Sequence, residues 1–122
     1  MNAEKKSILI VDDEEMILRM LSNILGRDHT VVTFLDPAQA VSAASGVKFD
    51  LVITDFRMNG MNGIELIRQI SALQPDTEFI ILTGEALDPD AIPAGVSFLS
   101  KPFELSALLA AVQQALAPGV IG

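Results

Sequence analysis

A chain of 122 residues and 13.1 kDa can bury one core but is too short for a second module of similar size. Half of its residues are hydrophobic, its six aromatic residues are all Phe, and it has no Cys, which excludes disulfides and thiolate metal sites and leaves only oxygen-based metal chemistry. Sixteen acidic against eight basic residues give a net charge of −8, which opposes direct binding to nucleic acid or to an anionic membrane and points to protein partners.

The chain opens with Met1-Asn2-Ala3-Glu4-Lys5-Lys6-Ser7 and runs straight into a strand-like stretch, with no secretory apolar region. Apolar runs stay well short of the roughly 18 residues that suggest a membrane span, so a cytoplasmic protein is expected. After Ser7-Ile8-Leu9-Ile10-Val11 come Asp12 and Asp13, then a helical pattern over residues 14–27 with a core stripe at Ile17, Met20, Leu21, Ile24 and Leu25 and Gly26 as a stop signal. His29 reads as a turn residue with no chemical role.

Residues 30–34 form a short β-branched strand, Asp36-Pro37 opens a second helix in N-cap then N1-proline order, and Gly46 closes it. Leu51-Val52-Ile53-Thr54 leads to Asp55 and the glycine-rich loop of residues 56–63, where Asn62 is placed to cap a third helix ending near Leu73. Phe79-Ile80-Ile81-Leu82 ends in Thr83, and Phe98-Leu99-Ser100 ends in Lys101-Pro102. The last helix, over residues 103–117, has its stripe at Leu105, Leu108, Leu109, Val112 and Leu116.

Strand-like runs thus alternate five times with helix-like stretches, and the runs are continuously apolar, as parallel strands covered on both faces should be. The expected architecture is α/β, a doubly wound (βα)5 domain spanning 1–122 with its core at about 7–117. In such a sheet ligands bind outside the carboxyl ends of the strands, so Asp12, Asp13, Asp55, Thr83 and Lys101 converge on one crevice. Singly, each has an ordinary structural reading as a cap or turn residue. Together they are parts for phosphoryl chemistry on a hard cation: clustered carboxylates call for a divalent ion such as Mg²⁺, Asp55 is placed to act as nucleophile, Lys101 to neutralise transferring charge, and Thr83 to donate its hydroxyl.

Val11-Asp12-Asp13-Glu14, Thr54-Asp55, Met58 with Gly60-Met61-Asn62-Gly63, Leu82-Thr83-Gly84 and Phe98-Leu99-Ser100-Lys101-Pro102-Phe103 resemble the receiver domains of two-component response regulators over essentially the whole chain. The resemblance implies a flavodoxin-like sheet of order 2-1-3-4-5. It also implies Asp55 as phosphoacceptor, Mg²⁺ held by Asp12, Asp13, Asp55 and the backbone carbonyl of Arg57, and Thr83 with Lys101 as sensors of the phosphoryl group. Phe98 matches the switch aromatic of that family. A sensor histidine kinase or histidine phosphotransfer protein is the implied donor. The output partner, or an effector domain beyond Gly122, is left open.

Three departures stand out. Asn59 replaces the usual Pro. Thr83 and Lys101 are 18 positions apart, about one helical turn fewer than usual, and Pro89 and Pro93 fall between them, so the fourth helix should be shortened or irregular. The last helix region carries a single charge, Glu104, which weakens the case for charged pairing of two receivers through that surface. Met16 and Leu18 fall off the core stripe; single exposed apolar residues are common, and a docking patch for the phosphodonor is the sharper alternative.

Two rival functions share the architecture. A Mg²⁺-dependent phosphohydrolase with an aspartyl nucleophile would need a substrate cap and a nearby acid, which Phe56-Arg57 does not supply. A flavodoxin-like cofactor binder would need a phosphate-cradling loop where Asp12 and Asp13 repel anions.

Overall fold

A computed structural model describes residues 5–117. Five strands, β1 (Ser7–Val11), β2 (Thr30–Phe34), β3 (Leu51–Asp55), β4 (Glu78–Thr83) and β5 (Ser97–Ser100), form one parallel sheet in the order β2-β1-β3-β4-β5. Four helices connect or follow them: α1 (Glu15–Leu25), α2 (Pro37–Ala44), α3 (Gly63–Leu73) and α4 (Leu105–Leu116). The order reverses between β1 and β3, and that reversal places the carboxyl ends of β1 and β3 side by side.

The continuous apolar runs are explained by two cores, one on each face of the sheet. Ile8, Ile10, Leu51, Ile53, Ile80 and Leu82 project toward α1 and α4, where they meet Leu18, Leu21, Leu25, Leu108 and Val112. Their neighbours Leu9, Val11, Val52, Phe79 and Ile81 project to the other face and pack with Ala40, Ala44, Leu66, Ile67 and Ile70 of α2 and α3. Because strand side chains alternate, a strand buried on both faces takes polar residues only near its end, where the buried Thr54 donates its hydroxyl to the Asp55 carbonyl at 2.9 Å. All five residues of β3 are buried, Asp55 included.

Caps set the helix starts where the sequence indicates them. Asp36 Oδ1 accepts from the Ala38 amide at 3.0 Å with Pro37 in the first turn, and Asn62 Oδ1 accepts from the Glu65 amide at 2.9 Å. At the opposite end of the sheet, the buried Gln74 side chain donates to the Ala44 carbonyl and accepts from the Phe49 amide, both at 2.8 Å, tying the turn before β3 to the one before β4. His29 lies in the turn after α1, with its amide donating to the Leu25 carbonyl at 3.0 Å.

The structure corrects several packing expectations. Leu18 is buried at 6% exposure, within the α1 core stripe, whereas Met20 is 40% exposed. On α4 only Leu108 and Val112 are fully buried, and Leu105 and Leu109 lie largely in solvent. α4 lies over β4 and β3 as well as β5, with core beneath one narrow line of its residues, so the i, i+4 pair Leu105 and Leu109 falls on its flank toward α1, beside Ile24. α2 ends at Ala44, two residues before Gly46.

Between β4 and β5 the chain forms a single 3₁₀ turn, Pro89–Ala91, in place of a fourth long helix. Asp88 caps it by accepting from the Asp90 amide at 3.0 Å. Of this segment, Leu87 and Val96 pack on the core. A segment with so little buried apolar surface and so few internal amide bonds opens easily. Amide exchange followed by mass spectrometry should therefore show residues 86–95 exchanging faster than any of the four helices; protection equal to that of α4 would identify a rigid replacement for the helix.

Candidate functional site

Asp12, Asp55, Thr83 and Lys101 each follow from a strand running out of core. Beyond Val11 the chain is held by the Asp12 amide donating to the Phe34 carbonyl at 3.2 Å, which keeps Asp12 in the plane of the sheet and 1% exposed. Asp55 ends β3, and the next amide, of Phe56, donates to the Leu82 carbonyl at 2.9 Å. The Lys101 amide donates to the Thr83 carbonyl at 2.7 Å, which aligns the end of β5 with the end of β4. Gly63, the first residue of α3, lies under β3 so closely that a Cβ would stand 2.6 Å from the Asp55 carbonyl oxygen. Glycine there lets α3 begin against the strand without displacing Asp55.

These elements bring the expected residues together. Asp12, Asp13 and Asp55 each offer a carboxylate oxygen, all within 4.8 Å of one another. Lys101 reaches in from β5, with Nζ 3.3 Å from Asp55 Oδ1, 3.5 Å from Asp12 Oδ2 and 3.9 Å from Glu14 Oε1. Asp12 does not cap α1 in the ordinary way. The N-cap position is Glu14, which makes no side-chain cap, while Asp12 Oδ1 accepts the Glu14 amide at 2.9 Å and its other oxygen faces Lys101.

One ammonium among these acids leaves the cluster short of positive charge. Burial pushes the Asp12 carboxyl from its usual 3.8 up to about 6; Asp55 adds to the rise, against the Glu14 amide and Lys101. Asp55 is likewise raised, first by burial, with Lys101 the main opposing influence. Burial pulls Lys101 down, but Asp12 and Asp55 outweigh it and the net shift is upward. A divalent cation held by oxygen ligands would relieve the same repulsion, so the donor set suits Mg²⁺.

Thr83 and Phe98 are placed as separate parts. The Thr83 hydroxyl is engaged with Glu85, donating to its carbonyl and accepting from its amide, each at 3.1 Å. Phe98 pairs in register with Ile81 and is 45% exposed, because β5 is an edge strand and the 3₁₀ turn is too short to cover it. The Arg57 side chain turns away from the acids to a two-point ion pair with Glu85. Met16 is 84% exposed on α1, while buried Leu18 cannot contribute to a docking patch beside it. Glu14 and Glu85 are the residues without an assigned role in the sequence reading. Glu14 stood inside the aspartate motif, whereas Glu85 and Arg57 are 28 positions apart and only the alignment of β3 with β4 makes them neighbours.

A family model described as "Response regulator receiver domain" matches residues 8–113. The transcriptional regulatory protein GlrR of Escherichia coli K12 is 37% identical over 121 residues, covering 95% of this chain and 27% of GlrR. A response regulator receiver domain protein (CheY-like) from Methanospirillum hungatei superposes with a TM-score of 0.85 at 27% identity, over 93% of this chain and 94% of that one. The response regulator TrrA from Thermotoga maritima, solved in complex with Mg²⁺ and beryllofluoride, gives a TM-score of 0.78 at 28% identity, over 91% and 99%. The chain spans between 27% and 57% of the length of the first curated relatives.

The raised carboxyl of Asp12 sets a stability test with a defined sign. A folded-state value of about 6 above an ordinary 3.8 means that the folded protein holds the extra proton between about pH 4 and 6. Stability from this group is therefore full at the acid end of that window and falls as pH rises through it, by roughly 2–4 kcal/mol at pH 7. Asp12→Asn, which keeps the acceptor for the Glu14 amide, should raise the thermal midpoint at pH 7.5 by several degrees and change it little near pH 4. Thermal unfolding at the two pH values checks this; an equal change at both would mean that charge repulsion is not the cause. In the wild type, added Mg²⁺ should stabilise more at pH 7.5 than at pH 5.

Proposed function

Because this chain belongs to the response regulator receiver domains of two-component systems, we propose that Asp55 is its phosphoacceptor, that Asp12, Asp13, Asp55 and the backbone carbonyl of Arg57 hold Mg²⁺, and that Thr83 and Phe98 carry the switch. A receiver domain is a phosphoacceptor switch rather than a turnover enzyme, and its partner is a histidine kinase. That membership sets aside the phosphohydrolase and cofactor-binder alternatives. The observation that carries the residue assignment is the position of Lys101 Nζ, 3.3 Å from Asp55 Oδ1 within a cluster of three carboxylates.

The transfer is an in-line displacement. A carboxylate oxygen of Asp55 forms a bond to the phosphorus of a phosphohistidine, the phosphorus–nitrogen bond breaks, and its electron pair leaves with the imidazole nitrogen, which takes up a proton. Lys101 neutralises charge on the transferring oxygens without giving up its proton, since the two acids beside it hold it protonated. When bound, Mg²⁺ supplies a second and stronger positive centre for the same oxygens. Water later attacks the phosphorus of the acyl phosphate, releasing inorganic phosphate and restoring the Asp55 carboxylate.

Signalling uses a different set of contacts. The Thr83 hydroxyl has one proton, and it now goes to the Glu85 carbonyl. Donation to a phosphoryl oxygen requires that bond to break and Thr83 to move toward Asp55. The movement opens space behind Thr83 for the Phe98 ring to turn in from its exposed position. The immediate donor in this reading is a sensor histidine kinase or a histidine phosphotransfer protein, met in the cytoplasm, and the domain comprises the whole of residues 1–122 with its core at about 7–117. No helix among the described residues is long and apolar enough to cross a membrane.

With Mg²⁺ and a small acyl phosphate, intact mass should increase by one phosphoryl group, and Asp55→Asn or chelation of the metal should abolish the increase. Persistent labelling of Asp55→Asn would move the nucleophile elsewhere. Lys101→Ala should slow labelling by at least tenfold, whereas Thr83→Ala should be labelled but leave the Phe98 ring in its resting environment, as followed by NMR. Wild-type switching in both variants would contradict these roles.

A further inference from the structure

Arg57 and Glu85 form an ion pair that the phosphoryl chemistry does not use, and it joins the two loops on which that chemistry depends. Arg57 lies two positions beyond Asp55 and Glu85 two positions beyond Thr83. The Arg57 guanidinium donates from Nε to Glu85 Oε2 and from Nη2 to Oε1, the latter at 3.1 Å, a two-point fork that fixes orientation as well as distance. The Phe56 ring supports it, with its centroid 5.7 Å from the guanidinium carbon. At the other end, the Glu85 main chain accepts the only proton of the Thr83 hydroxyl and gives its own amide proton back to the same oxygen.

The three contacts form a continuous chain: Phe56 and Arg57 hold the Glu85 carboxylate, and the Glu85 main chain holds the Thr83 hydroxyl proton. We propose that the Arg57–Glu85 pair is a latch that keeps Thr83 in its resting arrangement, so that phosphorylation must break it before the switch can turn. This inference rests on Asp55 as the phosphoacceptor. Both side chains face solvent, 77% and 39% exposed, and an exposed pair contributes little. A switch requires that weakness, because a latch costing more than the phosphoryl contact returns would never open.

Removing either charge would also alter the field at Asp55, so the test keeps both charges and shortens both arms. In Arg57→Lys/Glu85→Asp the formal charges remain while the planar fork and one methylene are lost. The amide of residue 85, measured by NMR solvent exchange and corrected for intrinsic rate, should exchange about two- to fivefold faster than in the wild type, approaching the value in Thr83→Ala, which lacks the acceptor altogether. Beryllofluoride with Mg²⁺ should then bind the double variant more tightly by a similar factor, since less resting structure must be undone.

Unchanged exchange at residue 85 would overturn the proposal by showing that the pair holds nothing. Faster exchange with unchanged or weaker beryllofluoride binding would overturn it as well, by showing that the pair orders the loop without opposing the switch. A wild-type protein that takes up no beryllofluoride would instead remove the Asp55 assignment on which the latch depends.

Discussion

The balance of one ammonium against three carboxylates governs the end of the sheet that matters. Lys101 lies within 3.5 Å of both Asp12 and Asp55, and these acids are buried because β1 and β3 are covered on both faces until their last residues. The same burial that gives the strands their stability therefore raises the cost of charge where they end. Lys101 compensates part of it, and the residual deficit of positive charge suits the site to a divalent cation held by oxygen ligands. Function and instability have one source here, which is why a carboxamide at Asp12 can stabilise the fold while weakening the site.

Most of the fold was legible because the fold is built from runs. Four apolar stretches, each ending in a polar residue, with a short β-branched run between the first two helical patterns, suit a covered parallel sheet and little else of this size. The caps at Asp36 and Asn62 were equally plain, since each needs only a local side chain and an amide two or three residues on. Strand order was carried by the family resemblance, because spacing alone does not say that β3 inserts between β1 and β4.

Helix faces were less legible. Leu18 and Met20 differ by two positions on one helix, and periodicity alone placed the wrong one in the core, because the centre of a helical stripe depends on where the sheet lies beneath it. Leu105 and Leu109 show the same limit on the flank of α4 toward α1. The Arg57–Glu85 pair shows a stricter one: two opposite charges 28 positions apart carry no local signal, and their meeting follows from the register Asp55↔Leu82 that sets the two loops side by side. What sequence periodicity cannot supply is tertiary register, and the contacts that modulate this site depend on it.

The shortened segment after β4 changes how a signal can leave the site. Here the chain beyond Thr83 runs through Gly84 and Glu85 into a stretch with one 3₁₀ turn, anchored on the core by Leu87 and Val96. Motion at Thr83 would thus be absorbed within a few residues along the chain, while across the sheet it would reach β5 directly, because Ile81 and Thr83 pair with Phe98 and Ser100. The sheet is the stiffer of the two routes, being held by ladder hydrogen bonds and packed on both faces at β4. Phe98, 45% exposed on the edge strand β5 and in register with Ile81, lies on that second route.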